Sequence, residues 1–557
     1  MNNGFLTSFS LALTPLSPIH IGMGEELDPT GYVIDDGILY AFDPSRAQLS
    51  EEVRKQLLKE VDFGRPESIH RVYKLLKDNK ETFIPVAHSF IPVGRGVEDK
   101  YRESIGKPVQ TEGDLKRVFN NNFIERAVYL PADGRPYLPG SSVKGAVRTA
   151  WAEALLGSPP RYRPRVEPNR DARIGEALSL EKKLFHHDDG KFETSLLRLL
   201  KMSDFIPQNT EIDRKIVFAC NVRKTVNSER GQSGGRGPST RKEVICSGQY
   251  RAFLSQAVIQ NLGDMARIHP SLTPSAALSP DMARLAKYSN DFHLGRLARE
   301  CAILRKNGYV NQDWLNRFQR LIERLTPRLE DRERPAFLIR VGRYGDAETK
   351  TLKEIAHIKI MGGKGKPPRY QKNSTTLWLA ADEDKQEHDL LPFGWALVEV
   401  NPKGDNDVLR QWCEEERKDG RRDMREVRAK AKANLESIAA AREAERAEVA
   451  GREAARQQAA EEEARQQAAR AAMSAEQRKV EEFYEKLKDH FKLKPRDVGV
   501  DIVRQGEALL REAAAWAKEE QKSAAEKLEP LFREKGLFDV GGGKGKMFKD
   551  GFSRMKS

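Results

Sequence analysis

The sequence predicts an α+β fold that ends in a long helical extension. Three observations predict it. Near the start, and again before residue 400, apolar residues alternate with polar or small ones, as half-buried strands require. From Gly140, apolar residues recur at helical spacing. Beyond Val400 the composition changes: from Arg421 to Asp489 there is no proline and one glycine, Gly451, amid Ala, Glu, Arg and Gln.

The elements follow in order. In FSLALT, Phe9, Leu11 and Leu13 hold alternate positions, giving a strand. GYVIDDGILYAF sets Asp35, Asp36 and Gly37 between two apolar runs, which signals a hairpin. TPLSPIHIGMGEELDPTG, between them, is rich in Gly and Pro and reads as a shaped loop. Asp43-Pro44 opens a charged helical segment, with Pro44 suited to the first helical position. After Gly140, one helical face holds Val143, Val147, Trp151, Ala154 and Leu155, and Ser141 or Ser142 can cap the start. Residues 158–173 are rich in Pro and Arg, as a linker or surface loop is. RKTVNSERGQSGGRGPSTRKE, from Arg223 to Glu243, reads as a long mobile loop between two paired strands. Strand-like AFLIRVGRYG, HIKIMGG, TTLWLA and GWALVEV carry the β-pattern to Val400.

The extension reads differently. ARQQAA recurs at Ala455 and Ala464, a nine-residue step and not a heptad, and large apolar residues are scarce. A solvated helix fits this better than a coiled-coil seam. Fully helical, it would reach ~100 Å at 1.5 Å per residue. An apolar face returns at Val480, Phe483, Tyr484 and Leu487, EALLREAAAWAKEE adds another amphipathic segment, and the basic tail GGGKGKMFKDGFSRMKS reads as flexible.

Composition bounds the function. The 557 residues exceed what one hydrophobic core supports, so two to four domains are expected. Lys and Arg number 96 against 83 Asp and Glu, a net charge of +13, which favours a polyanionic partner. No apolar run approaches membrane-spanning length, and MNNGFLTSFS lacks the order of a signal peptide, so no membrane partner is expected. Cys220, Cys246, Cys301 and Cys413 lie far apart, against a zinc ribbon or disulfide framework and in favour of a reducing cytoplasm.

Six stretches carry candidate chemistry. YLPGSSVKGAVRTA runs two glycines, two serines and a lysine into a helix. A Walker A loop needs lysine after the second glycine and then a hydroxyl residue; here Lys144 precedes Gly145, so nucleotide hydrolysis is disfavoured. A helix start with Lys144 and Arg148 one turn apart suits a backbone phosphate, though an ordinary capped helix with a solvated basic face has the same pattern. IHIGMGEELDP places His20, Gly22 and Gly24 after a strand but lacks the third glycine of a dinucleotide fingerprint. There glycine permits close backbone approach, and His20 is either structural, stacking, or a general base for RNA cleavage. HHDD, His186 to Asp189, has no second cluster to complete a metal site and reads as a solvated loop. RVGRYG, MGGKGKPPRY and GGGKGK interleave glycine with cations, and near Lys364 and Lys366 an aromatic, Tyr370, can stack on an unpaired base.

LTPLSPIHIGMGEELDPTGYVIDDGILYAFD and YLPGSSVKGAVRTAWAEALL resemble the RAMP superfamily of CRISPR effector proteins, and within it the fifth subunit of the type III-A (Csm) complex. That family opens with a T-P-x-H-I-G-x-G loop and carries a P-G-S-S-x-K-G-A-x-R-T helix. FLIRVGRYG and KIMGGKGK match its later glycine-rich segment more loosely. The resemblance spans roughly residues 9 to 400, and nothing after Val400 matches.

The resemblance implies tandem ferredoxin-like (RRM-like) domains with glycine-rich loops and helical insertions, set at residues 1–157 and 158–400. A helical segment at 401–490 and a small helical one at 491–557 would follow. It implies a non-catalytic subunit that binds guide RNA (crRNA), caps the backbone at the 3′ part of that RNA and supports its maturation. The implied partners are other RAMP subunits of the complex and a host nuclease that trims the RNA; no cofactor is implied. RNA contact passes to His20, Gly22 and Gly24, to Ser141, Ser142, Lys144 and Arg148, and to Gly342, Arg343, Lys364 and Lys366. Two alternatives stand beside this: a metal-independent RAMP endoribonuclease using His20, and a scaffold working mainly through the C-terminal helix.

Overall fold

The computed structural model describes residues 5–60, 66–106, 122–163, 170–186, 194–209, 211–225, 239–263, 267, 278–361, 365, 367–418, 424–494 and 497–557. Lys364 and Lys366 lie outside the described residues, as do 226–238, most of the loop expected before Glu243. The chain forms two compact units, Met1–Ile438 and Ala439–Ser557.

The strands in chain order are β1 (Leu6–Pro15), β2 (Gly22–Leu27), β3 (Tyr32–Asp35), β4 (Ile38–Ala41), β5 (Ser89–Pro92), β6 (Ile124–Ala127), β7 (Leu200–Met202), β8 (Ile206–Pro207), β9 (Arg214–Arg223), β10 (Thr240–Ile245), β11 (Phe253–Gln260), β12 (Ala336–Arg340), β13 (Ile358–Ile360), β14 (Arg369–Gln371), β15 (Thr376–Ala381), β16 (Leu391–Pro392) and β17 (Trp395–Val400). One sheet has the order β12–β17–β1–β11–β7, with β8 also pairing β11, and all its pairs are antiparallel. Helix Gly140–Leu156 lies between β1 and β7 in the chain, and helix Met282–Asn307 between β11 and β17. β1 and β7 have one strand, β11, between them, as β11 and β17 have β1; edge strand β12 follows the second helix in the chain and comes before β17. The other large sheet has the order β16–β15–β9–β10–β6–β2, parallel only at β10–β6.

The first sheet is covered on both faces. In β17, Trp395 and Leu397 enter one core while Ala396, Val398 and Val400 enter another. β1 alternates in exposure only from Leu6 to Ser10; from Leu11 onward every residue is buried, because the strand becomes central there. Helix Gly140–Leu156 seats Val143, Val147 and Trp151 in the second of these cores, and Trp151 meets Phe185 edge-on at 5.2 Å. Its buried face includes Ala146 and Ala150, whereas Ala154, expected inside, is exposed.

The Asp36-Gly37 hairpin forms between β3 and β4, both turn residues having positive φ (47° and 70°), as a primed turn requires. β9 and β10 pair antiparallel, as expected of the strands flanking the glycine-rich loop.

Three expectations need correcting. The Gly- and Pro-rich stretch before the hairpin is not all loop, since Gly22–Leu27 is strand β2, paired with β6 across a register shift between Gly22 and Glu26. Glycine there makes a bulged edge strand. The chain does not divide at 157/158, because β1 pairs with β11 and β6 with β10, so both large sheets draw strands from both sides of that point. Such long-range pairing leaves no local trace in a sequence. The observed boundary, 438/439, falls inside the 47-residue helix Arg425–Ala471 rather than at Val400. Lastly, the tail is not loose: Lys544–Lys556 is a helix whose Phe548, Phe552 and Met555 share a core with Val480 and Phe532. That core also spans the division expected at 490/491. No helix among the described residues is long and apolar enough to cross a membrane.

Candidate nucleic-acid interface

Three glycine-bearing segments far apart in the chain are joined through backbone. The N–H of Arg343 donates to the carbonyl of His20 at 3.0 Å, that of Gly394 to Pro18 at 2.8 Å, and that of Val341 to Gly394 at 2.8 Å. Gly342 has φ +91°, and a Cβ there would stand 2.4 Å from the His20 carbonyl oxygen, so only glycine lets the loop after β12 lie on the first loop. Gly140 plays a similar part at the helix start, where a Cβ would come 2.3 Å from the carbonyl oxygen of Ser203. Its N–H donates to Asp204 Oδ1 at 2.8 Å, while Pro139 occupies the cap position without a side-chain bond. The distant carboxylate, not Ser141 or Ser142, thus satisfies that N–H.

The first loop, the helix start and the loop after β12 border a cleft of about 740 Å³. Of the residues singled out in the sequence, Gly22, Gly24, Ser142, Arg148, Gly342 and Arg343 line it. Gly24 has φ +88° within the β2 bulge, with nothing near its Cβ position. Five cationic side chains, Arg126, Arg148, Arg340, Arg343 and Lys350, face three carboxylates, Glu25, Glu26 and Glu125. Arg340 is committed to buried Glu300 at 2.8 Å and Lys350 to two backbone carbonyls, which leaves Arg126, Arg148 and Arg343 at the cleft.

Their partners define what each can do. Arg148 Nη1 donates to both oxygens of Glu181, at 2.9 and 3.0 Å, in an exposed pair that a stronger anion can replace. Arg126 stacks over the Tyr129 ring at 3.9 Å, with Glu25 at 3.6 Å. Lys350 Nζ donates to the carbonyls of Gly342 and Arg343 at 3.0 and 3.1 Å, bracing the loop. Burial, then the nearby Arg340 and Arg343, lower its ammonium below the usual lysine range. Glu125 is the hub, since it pairs with Lys242 and accepts from Arg343 Nη1 at 2.7 Å. Burial acts to raise its carboxyl, but Lys242 and then Arg343 outweigh this and hold it below the ordinary value.

Two of the residues singled out in the sequence make other contacts. Lys144 is not among the described lining residues: its Nζ donates to the carbonyls of Leu197 and Leu200, at 2.9 and 2.6 Å. The cation serves the end of the short 3₁₀ helix Leu196–Leu199, where carbonyls lack helical partners. Burial lowers its pKa. His20 is 1% exposed and lies beneath the cleft, and a Cβ on Gly22 would be 3.2 Å from its Nε2. Its Nδ1 lies 2.7 Å from the Glu243 carbonyl, which only accepts, so Nδ1 carries the proton and donates. Burial pulls the imidazole below its ordinary pKa, which favours its neutral form. Ser141, exposed, is likewise not among the described lining residues.

The glycine theme pointed to neither Arg126 nor Lys350. Lys350 follows Arg343 by seven residues in the same loop, a signal that could have been used; Arg126 on β6 has none. Among the described residues no group of His, Cys, Asp and Glu is placed to hold a metal, and His187, Asp188 and Asp189 lie outside those residues. None of the four cysteines is in a disulfide among the described residues.

A model of the RAMP superfamily matches residues 12–268. Among curated proteins, the CRISPR system Cms protein Csm5 of Streptococcus thermophilus is 30% identical over 167 residues, 29% of this chain and 41% of the relative. The Csm5 protein of Methanocaldococcus jannaschii is 24% identical over 212 residues, 38% of this chain and 45% of the relative. The matches thus span less than half the length of these curated relatives. Among solved structures, one chain of a Csm–crRNA–target RNA ternary complex of a type III-A CRISPR-Cas system aligns with TM-score 0.42 at 16% identity, over 70% of this chain and 100% of its own length. Csm5 from T. onnurineus aligns with TM-score 0.35 at 15% identity, over 69% and 99%. Residues 12–268 thus match the RAMP superfamily, and the two curated relatives similar to this chain are Csm5 proteins.

Proposed function

We infer that the chain is a non-catalytic subunit of a type III-A CRISPR effector complex, and that its cleft holds the sugar–phosphate backbone of guide RNA. One observation carries this reading: Gly22, Gly24, Ser142, Arg148, Gly342 and Arg343, from three distant segments, border a single cleft that Arg126 also lines. Glycines keep the walls low so that a strand can approach, and the cations neutralise phosphates without reading bases. Such a grip tolerates any guide sequence. In this reading the β17–β1–β11–β7 sheet with its two bridging helices is one ferredoxin-like unit, and the second large sheet belongs to its tandem partner. Capping at the 3′ part of the crRNA, contacts with other RAMP subunits, a trimming host nuclease and a cytoplasmic setting belong to the same reading.

Holding without cutting is tested with the full chain, repeat-containing RNA and a chelator. The RNA is expected to be retained intact. A discrete product that disappears in His20→Ala would overturn the reading in favour of a metal-independent ribonuclease.

A further inference from the structure

The cleft continues into a second, larger groove of about 1030 Å³, and Arg148, Thr149 and Lys350 line both. The character changes across this seam. Beyond it the walls include Leu180, Leu184 and Phe185 on one side and Leu352 and Ile355 on the other, with Tyr370 of β14 also lining the groove. Tyr370 is half-buried, and its ring centroid lies 6.1 Å from that of exposed His357.

We propose that this groove receives nucleobases of the strand whose backbone lies in the cleft, with Tyr370 as a stacking platform. The proposal rests on the RNA reading above and adds where the bases go. A ligand crossing the seam must present anionic groups to the cationic cleft and flat apolar surface to the groove within a few ångströms. Single-stranded RNA does so at every nucleotide, because each phosphate carries a base to one side. Every base has a π-face, so stacking here places no demand on sequence, as the cleft places none. Arg148 and Lys350 line both cleft and groove, and Arg163 and Lys372 add cations to the groove against Glu176, Glu181 and Glu354, so the seam favours an anionic strand over an apolar protein segment.

The test compares the full chain with Tyr370→Ala and Tyr370→Trp, binding an intact single-stranded RNA and an abasic oligomer of equal length. Tyr370→Ala is expected to weaken the intact RNA at least about fivefold, the equivalent of ~1 kcal/mol per stacked base. It should leave the abasic oligomer and the salt dependence unchanged, and Tyr370→Trp should retain the preference for intact RNA, which also controls for folding. Equal losses with both oligomers, or none, overturn the proposal and leave the groove to an apolar protein segment, while the cleft reading stands. If the unmodified chain retains neither oligomer, the RNA reading itself fails and this one with it.

Discussion

Arg296, on helix Met282–Asn307, holds Glu153, on helix Gly140–Leu156, with both terminal nitrogens at 3.0 and 2.7 Å. Arg296 is 7% exposed, and its Nε donates to the Glu348 carbonyl at 2.7 Å. Glu153 also accepts the N–H of Lys353 at 2.9 Å. The pair therefore fixes the helix that carries Arg148 against the segment that carries Lys350, the two cations at the seam between cleft and groove.

Removing Arg296 leaves Glu153, whose side chain is 26% exposed, without its partner, and leaves the Glu348 carbonyl without its donor. Arg296→Ala should lower stability by roughly 1–3 kcal/mol, the cost of leaving such groups unpaired. Denaturant unfolding of the full chain measures it, and a loss under about 1 kcal/mol would show the pair to be peripheral.

Lys144 should behave as a structural residue. Lys144→Met withdraws the donor from the carbonyls of Leu197 and Leu200, and should cost roughly 1–3 kcal/mol in the same unfolding measurement. RNA affinity at moderate salt should hardly change. The opposite pattern, full stability with weakened RNA, would return Lys144 to the interface.

Gly342→Ala combines a backbone conformation that alanine rarely adopts with a clash against the His20 carbonyl. A stability loss of more than about 1 kcal/mol is expected, together with weakened RNA retention as the loop shifts off the first loop. An unchanged melting temperature would mean that the loop has room the structure does not show.

Acid should destabilise the first unit partly through its buried histidines. Burial lowers His20 below its ordinary value and takes fully buried His293 down to about 3. A depressed histidine binds protons more readily in the unfolded chain, so its contribution is present above the unfolded value of about 6.5 and is lost as pH falls from there toward the folded value. Nuclear magnetic resonance of labelled histidines checks this: the His293 ring should stay neutral at pH 5, and a charged ring there would contradict it.

Local features of this chain were legible in the sequence, while those that depend on partners were not. The Asp36-Gly37 turn is set by residues that tolerate positive φ, so it could be read directly. Gly22, Gly24, Arg148, Gly342 and Arg343 could be gathered by composition, and they do meet. Lys144 sits one turn from Arg148 yet turns to a different neighbour, because the carbonyls of residues 197 and 200 are brought to it by the fold alone. For His20 the sequence leaves structural, stacking and general-base roles open for a related reason: its burial depends on Glu243 and the loop after β12, which are far from it in sequence. Arg126 was missed because a cation on an otherwise ordinary strand carries no mark of the surface it will face.

The salt dependence of RNA binding tests the central claim most directly. Affinity of the full chain for single-stranded RNA, measured across salt concentrations, should fall along a straight log–log line whose slope counts phosphate contacts. Arg148→Ala and Arg343→Ala should each flatten that slope by about 0.7, with Lys144→Met leaving it unchanged. A slope that neither arginine substitution alters would contradict the account, because the cleft would then not be where the backbone is held.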